Sequence, residues 1–203
     1  MQSIAHKGLK DEGWRTVNLG DVAIFLKGSG LPKSHLKDGA KNKCIHYGQL
    51  FTQYGPKVNE IISRTNQEGL VKSEPNDILM PTSDVTPNGL ATASCILEKG
   101  VILGGDILII RPQKNVLNGV YFSYLVKTIR EQVMQLVTGT TVYHLYGKDL
   151  AKLRFSIPDI NIQNKIAEIL CNADELIASS ERLKTKRINI NTGMSQALLS
   201  EKS

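Results

Sequence analysis

The sequence predicts an α+β fold, with a mixed-sheet domain over residues 14–157 followed by a long C-terminal coiled-coil helix over residues 158–199. Three observations predict it. Short apolar runs bounded by Gly, Pro or Asn recur through the first part of the chain, which is the punctuation of strands. Between them, Asn118 to Val137 carries Phe122, Leu125, Ile129, Val133 and Leu136 at helical spacing. From Asn161 the apolar period changes to a 4-3-4-3 rhythm that lasts almost to the chain end.

Taken in order, the stretch up to residue 13 is polar, and order is expected to begin at Trp14. "WRTVNLGDVAIFLKGSG" then reads as an anchoring Trp and a β-type run that stops at Gly28 and Gly30. "NDILMP" (76–81), "GVILGGDILIIRP" (100–112) and "KLRFSIP" (152–158) read as further strands. The final segment places Ile162, Ile166, Ile169, Ala173, Leu176, Ser180, Leu183, Arg187, Ile190, Met194 and Ala197 on one seam, with only Ser180 and Arg187 not apolar. A repeat of about 3.5 residues is a coiled-coil seam, and at about 1.5 Å per residue the helix would be roughly 50 Å long. So long a helix cannot bury its stripe on a small domain alone and calls for a partner; an ordinary helix folded back on its own core is the alternative reading.

Charge along that helix sets the orientation of pairing. Glu168, Asp174 and Glu175 lie in its first half, and Arg182, Lys184, Lys186 and Arg187 in its second. Parallel copies would face like with like. Antiparallel copies crossing near Ser180 bring Lys186 toward Asp174 and Lys184 toward Glu175, so the sequence favours an antiparallel homodimer.

The chain has 203 residues, 41% of them hydrophobic, enough for a real core. Its net charge of +6 is unevenly spread. Lys27, Lys33, Lys37, Lys41, Lys43 and Lys57 face only Asp38 within residues 27 to 57, a local basic field suited to an anionic partner or to plain solvation. Cys44, Cys95 and Cys171 are too widely spaced for a disulfide framework or a zinc site. Neither an export signal nor a membrane span is visible, and a cytoplasmic location with no membrane partner is expected.

Several catalytic motifs fail on inspection. In "GSGLPKS" the two glycines of a phosphate loop are replaced by Lys27 and Pro32. No aminomethyltransferase motif, nuclease E-x-K core or G-x-S-x-G elbow is present, so neither catalysis nor a cofactor is expected of this chain. What remains are polar loops. "TGTTVYHLYG" offers Thr140, Thr141, Tyr143 and His144, and "PTSDVTPNGLATAS" offers Thr82, Ser83 and Asn88. "CIHYGQLFTQYG" adds Gln49 within the lysine-rich region. Hydroxyls, amides and an imidazole suit base edges and phosphates, while lysines supply the sequence-independent part of DNA affinity. Tyr143 and Tyr146 read equally well as half-buried strand residues.

With these residues assembled, the chain resembles the specificity subunits of type I restriction-modification systems. "WRTVNLGDV", "NDIL" before a polar loop, "TGTT" followed by "LAKLRFSIP", and "IQNKIAEILCNAD" carry the resemblance, with Gln163 and Ile166 matching the Gln-x-x-Ile start of the family's conserved helix. The usual member has two target-recognition domains and two such helices, and here there is one of each. The resemblance therefore implies a half-subunit that reads double-stranded DNA, homodimerises, and directs adenine methyltransferase (modification) subunits and a restriction/motor subunit to a bipartite palindromic site. Residues 14–157 would be the target-recognition domain. Met1 and a helix ending just before the C-terminus lead us to expect a complete half rather than a piece of a longer subunit. A stand-alone dimeric DNA-binding protein such as a repressor is the alternative.

Overall fold

The computed structural model describes residues 13–200; the expectation of a frayed N-terminus concerns residues outside this range. The elements run β1 (Arg15–Asn18), α1 (Leu19–Val22), β2 (Ala23–Lys27), a 3-10 turn (Lys33–His35), β3 (Asn42–Ile45), α2 (Gln49–Thr52), β4 (Ser63–Thr65) and β5 (Asp77–Pro81). After these come β6 (Ser83–Asp84), α3 (Pro87–Leu90), β7 (Ser94–Ile96), β8 (Ile102–Leu103), β9 (Ile107–Pro112), α4 (Gly119–Thr128) and α5 (Arg130–Met134). The chain closes with β10 (Tyr143–His144), α6 (Gly147–Leu150), β11 (Arg154–Ile157) and α7 (Ile160–Ser200).

The expected strands form, but in four small sheets rather than one. The largest is antiparallel in the order β2-β9-β5-β7. Its central strands, "DILMP" and "ILIIRP", are unbroken apolar runs because both faces are covered; Ile78, Leu79, Ile109 and Ile110 have no exposed surface. A three-stranded sheet in the order β4-β3-β8 contains a parallel pair, β3 with β8. The core between these sheets gathers Ile45, Leu50, Leu79, Ile96, Leu103, Ile107 and Ile109.

One ion pair is built into this core. Asp77, with its side chain fully buried, is held bidentately by Arg111, Nε to Oδ1 at 2.7 Å and Nη2 to Oδ2 at 2.8 Å. Each residue abuts the Ile78–Ile110 rung that joins β5 to β9. Asp77 Oδ2 also accepts from the Glu74 amide at 2.8 Å, so the buried carboxylate is well satisfied. The pair raises the Arg111 pKa further, chiefly through that hydrogen bonding.

Two expectations are corrected in detail. The strand-like run after Trp14 is interrupted by a single helical turn at Leu19–Val22, which buries Leu19 and Val22, and Trp14 is 38% exposed rather than an anchor. The helical stretch from Asn118 breaks at Ile129 into α4 and α5. Asn118 caps α4 by accepting from the Tyr121 amide at 2.8 Å, and Phe122 buries fully, with Phe155 of β11 at a ring distance of 5.2 Å.

Strands β1 and β11 pair antiparallel, Arg15 opposite Ile157, so the two ends of the domain meet where α7 begins. The chain divides into compact units at Ala167/Glu168, ten residues into the region assigned to the helix from its sequence. Gln163 and Ala167 explain that offset, since both are buried in the first unit. Helix α7 is 41 residues long, about 60 Å at about 1.5 Å per residue, and no helix among the described residues is long and apolar enough to cross a membrane.

Candidate nucleic-acid interface

The two polar loops singled out in the sequence meet in space. Strand β10 pairs with β6, Tyr143 opposite Asp84 and His144 opposite Ser83. A tight hairpin precedes β10: the Thr138 amide donates to the His144 carbonyl at 3.0 Å and the His144 amide to the Thr138 carbonyl at 2.7 Å. Gly139 sits in its turn at φ +117°, where an added Cβ would collide with the Val142 carbonyl, so only glycine closes it. This places Thr140, Thr141 and Val142 at an exposed tip, with Tyr143 and His144 half-buried beneath.

Around that ladder lies α3, carrying exposed Asn88, whose carbonyl accepts from Arg130 Nη2 of α5 at 2.6 Å. Gly89 packs against the Asp84 carboxylate and the Phe51 ring, which brings α2 to the same face. Asp84 stiffens its own loop, accepting from the Val85 amide at 2.7 Å and from Thr86 Oγ1 at 2.9 Å.

Beside the ladder is a cleft of about 490 Å³ lined by Phe25, Leu26 and Lys27 of β2, by Thr82, Asp106 and Leu108, and by His144, Leu145, Tyr146 and Gly147. Thr82 ties its walls together: its amide donates to the Asp106 carbonyl at 2.9 Å and its carbonyl accepts from the Leu145 amide at 3.0 Å. His144 and Tyr146 stack at 5.9 Å, and Lys148 Nζ lies 5.6 Å from the Tyr146 ring centre. Of the residues named from sequence, Lys27, Thr82 and His144 share this cleft, and Ser83, Asn88, Thr140, Thr141 and Tyr143 belong to the loops beside it. Tyr146 is 47% exposed, unlike half-buried Tyr143. Nothing in the sequence marks Asp106 or Arg130 as a site residue, since a carboxylate after two glycines carries no local signal, and Tyr146 is left between a site role and a half-buried strand position.

The lysine field is weaker than its sequence suggests. Lys41 pairs with Glu68 at 3.2 Å, Lys43 with Glu98 at 2.8 Å, and Lys27 approaches Asp106 at 4.0 Å. Lys33 and Lys37 are exposed and, like Lys57, form no ion pair among the described residues. Gln49 spends its amide internally, Nε2 donating to Ser63 Oγ at 2.8 Å and Oε1 accepting from the His46 amide at 2.8 Å. Next to it, the His46 pKa is lowered, first by burial and then by Lys33, with Asp106 opposing. His46 Nδ1 accepts from the Gly48 amide at 3.2 Å, which fits a neutral ring.

Of the seam residues, Ile162, Ile169, Leu176, Leu183, Ile190 and Met194 are 43–68% exposed, Ala173 and Arg187 are exposed, and Ile166 is half-buried. No group of three or more potential metal ligands occurs among the described residues.

An α+β domain whose last strand feeds a long helix is a fold that this chain shares with parts of solved type I restriction-modification proteins. The S subunit from M. genitalium superposes with a TM-score of 0.59 at 18% identity, covering 83% of this chain and 41% of that one. A chain from a structure of the type I R-M system gives 0.68 at 17% identity over 98% of this chain and 47% of its own. The HsdS subunit from Thermoanaerobacter tengcongensis gives 0.59 at 17% identity over 88% and 41%. In sequence, the Type I restriction enzyme MjaVIII specificity subunit of Methanocaldococcus jannaschii is 24% identical over 170 residues, 83% of this chain and 37% of that protein. Residues 11–189 match the type I restriction modification DNA specificity domain, and the chain belongs to that family. It spans less than half the length of each of these relatives.

Proposed function

We propose that this chain is a non-catalytic DNA-recognition subunit: residues 14–157 read a half-site, and residues 158–199 pair antiparallel with a second copy to set half-site spacing. The observation that carries the reading is the joining of the 82–88 and 138–146 loops on one face by the β6–β10 ladder, which gives a hydroxyl-, imidazole- and aromatic-bearing surface suited to base edges. Family membership supports DNA as the ligand. The exposed seam and the opposite charges of the two helix halves support an antiparallel homodimer.

Ile177, Ile188 and Leu199 form a second exposed row at eleven-residue spacing, off the dimer seam. That row fits docking of adenine methyltransferase subunits, which would supply S-adenosylmethionine and the chemistry, with a restriction/motor subunit supplying cleavage. The complex would act in the cytoplasm. A homodimer closed by a two-fold axis presents one surface twice in inverted orientation, so its DNA target is a split palindrome. Mapping methylated adenines in cells carrying this chain as the sole specificity subunit, with its methyltransferase, tests the reading. Two inverted half-sites around an unread spacer are expected, and a reproducible asymmetric bipartite motif overturns the symmetric dimer.

A further inference from the structure

Within the cleft, Asp106 stands out on backbone geometry and on charge. It adopts φ +60°, a left-handed conformation uncommon outside glycine that aspartate tolerates better than most side chains, and Gly104 and Gly105 immediately precede it. Its carboxylate is half exposed, accepts from Thr82 Oγ1 at 3.4 Å, and lies 4.0 Å from Lys27 Nζ. A negative charge on a surface that meets phosphates is unfavourable unless a cation such as Lys27 or the amino group of a base offsets it.

We propose that Lys27 and Asp106 act together as the reader of one C·G base pair, Asp106 accepting from the cytosine N4 amino group and Lys27 donating to guanine O6 and N7. The inference rests on the DNA-recognition reading above. In the major groove, exocyclic amino donors are carried by cytosine and adenine only. Each lies beside an acceptor on its pairing partner, at about 2.9 Å because the two are hydrogen-bonded to each other. Donor and acceptor side by side in the groove therefore call for acceptor and donor side by side on the protein, and Asp106 and Lys27 are such a pair. What separates the two base pairs is the next atom along. An A·T pair puts the adenine N7 acceptor beside the carboxylate and the thymine methyl beside the ammonium, both unfavourable. A C·G pair puts no acceptor beside the carboxylate and gives the ammonium a second acceptor in guanine N7. Lys27 keeps donors to spare, since an ammonium has three and its contact with Asp106 is long. Thr82 makes a long contact with the carboxylate, and the stacked His144 and Tyr146 rings wall the same cleft.

The test is selection of duplexes from a random pool by the full chain assembled with its methyltransferase subunits, using the parent, Asp106→Asn and Lys27→Gln. Asparagine tolerates the left-handed backbone and pairs with adenine N6 and N7, so Asp106→Asn should move one C·G position of the half-site toward A·T. Lys27→Gln should reduce discrimination at that same position by about tenfold. Lys27 is exposed at the end of its strand, so this variant carries the test even if Asp106→Asn folds poorly. A parent motif lacking C·G, changes at different positions in the two variants, or a motif unchanged in both overturns the proposal while leaving DNA recognition intact. A lower salt slope in Lys27→Gln with the motif unchanged makes Lys27 a phosphate contact and also overturns it. A parent that selects no motif overturns the recognition reading itself.

Discussion

Gln163 is hydrogen-bonded to Asn118 through its side-chain oxygen, which accepts from the Asn118 amide at 2.9 Å, while its side-chain nitrogen donates to the carbonyls of Val116 at 3.1 Å and Pro158 at 2.9 Å. A fully buried amide thereby fixes the first turns of α7 to the segment leading into α4. Asn118 adds a second link, donating from Nδ2 to Asn164 Oδ1 at 2.8 Å.

Gln163→Ala should therefore destabilise the protein by about 2–4 kcal/mol, because one amide and two carbonyls lose their partner away from water. Gln163→Glu should be at least as damaging at neutral pH, since a carboxylate cannot donate to two carbonyls. Chemical denaturation measures both; a loss below about 0.5 kcal/mol in each would show that the network contributes little.

Depth decides the value of an ion pair. Asp77→Ala leaves Arg111 unpaired beside a buried cavity and should cost about 2–4 kcal/mol, less than the most buried pairs because the Arg111 side chain keeps 30% exposure. Lys41→Ala breaks a pair whose side chains are 76% and 70% exposed and should cost no more than about 0.5 kcal/mol. Equal losses in denaturation would contradict this ordering.

The same pairing pattern sorts the lysines for DNA. Lys37→Ala should lower the slope of log affinity against log salt by about 0.9 with sequence preference unchanged, whereas Lys41→Ala, already facing Glu68, should change it less. Unchanged slopes for both place the phosphate contacts elsewhere.

Replacing Leu176 and Leu183 together by Asp should give folded monomers that no longer support specific methylation, because unpaired carboxylates in a helix seam cost several kcal/mol. Sedimentation of an intact dimer would assign the stripe to another contact.

The lowered pKa of His46 also sets a pH dependence. Its folded pKa lies below the unfolded value of about 6.5, so the neutral ring is favoured by folding. The stability it contributes is present above about pH 6.5 and declines as pH falls below it, since burial and then Lys33 penalise the charged ring, and protonation also removes the acceptor that the Gly48 amide uses. His46→Asn should abolish that part of the slope in denaturation midpoints measured from pH 7.5 to 5.

Local periodicity revealed what is local. The strands β5, β9 and β11 and the seam of α7 announce themselves within a few residues, and the two polar loops could be named from their composition. Long-range pairing could not be seen. Lys41 and Lys43 read as unopposed because their acids lie 27 and 55 residues away, and no periodicity shows that residues 83–84 pair with 143–144. Asp106 escaped for a related reason: its meaning lies in a left-handed turn opposite Lys27, not in its neighbours along the chain.

The β6–β10 ladder makes the proposed reading surface a single inheritable unit despite its origin in two separate stretches of gene. A one-residue slip would exchange the sides on which Tyr143 and His144 point, so insertions in one loop are felt by the other. Changes of specificity that survive selection should then arrive as correlated changes in residues 82–88 and 138–146. Grafting either loop alone from a relative should yield a weakened reader of the old site rather than a reader of the new one.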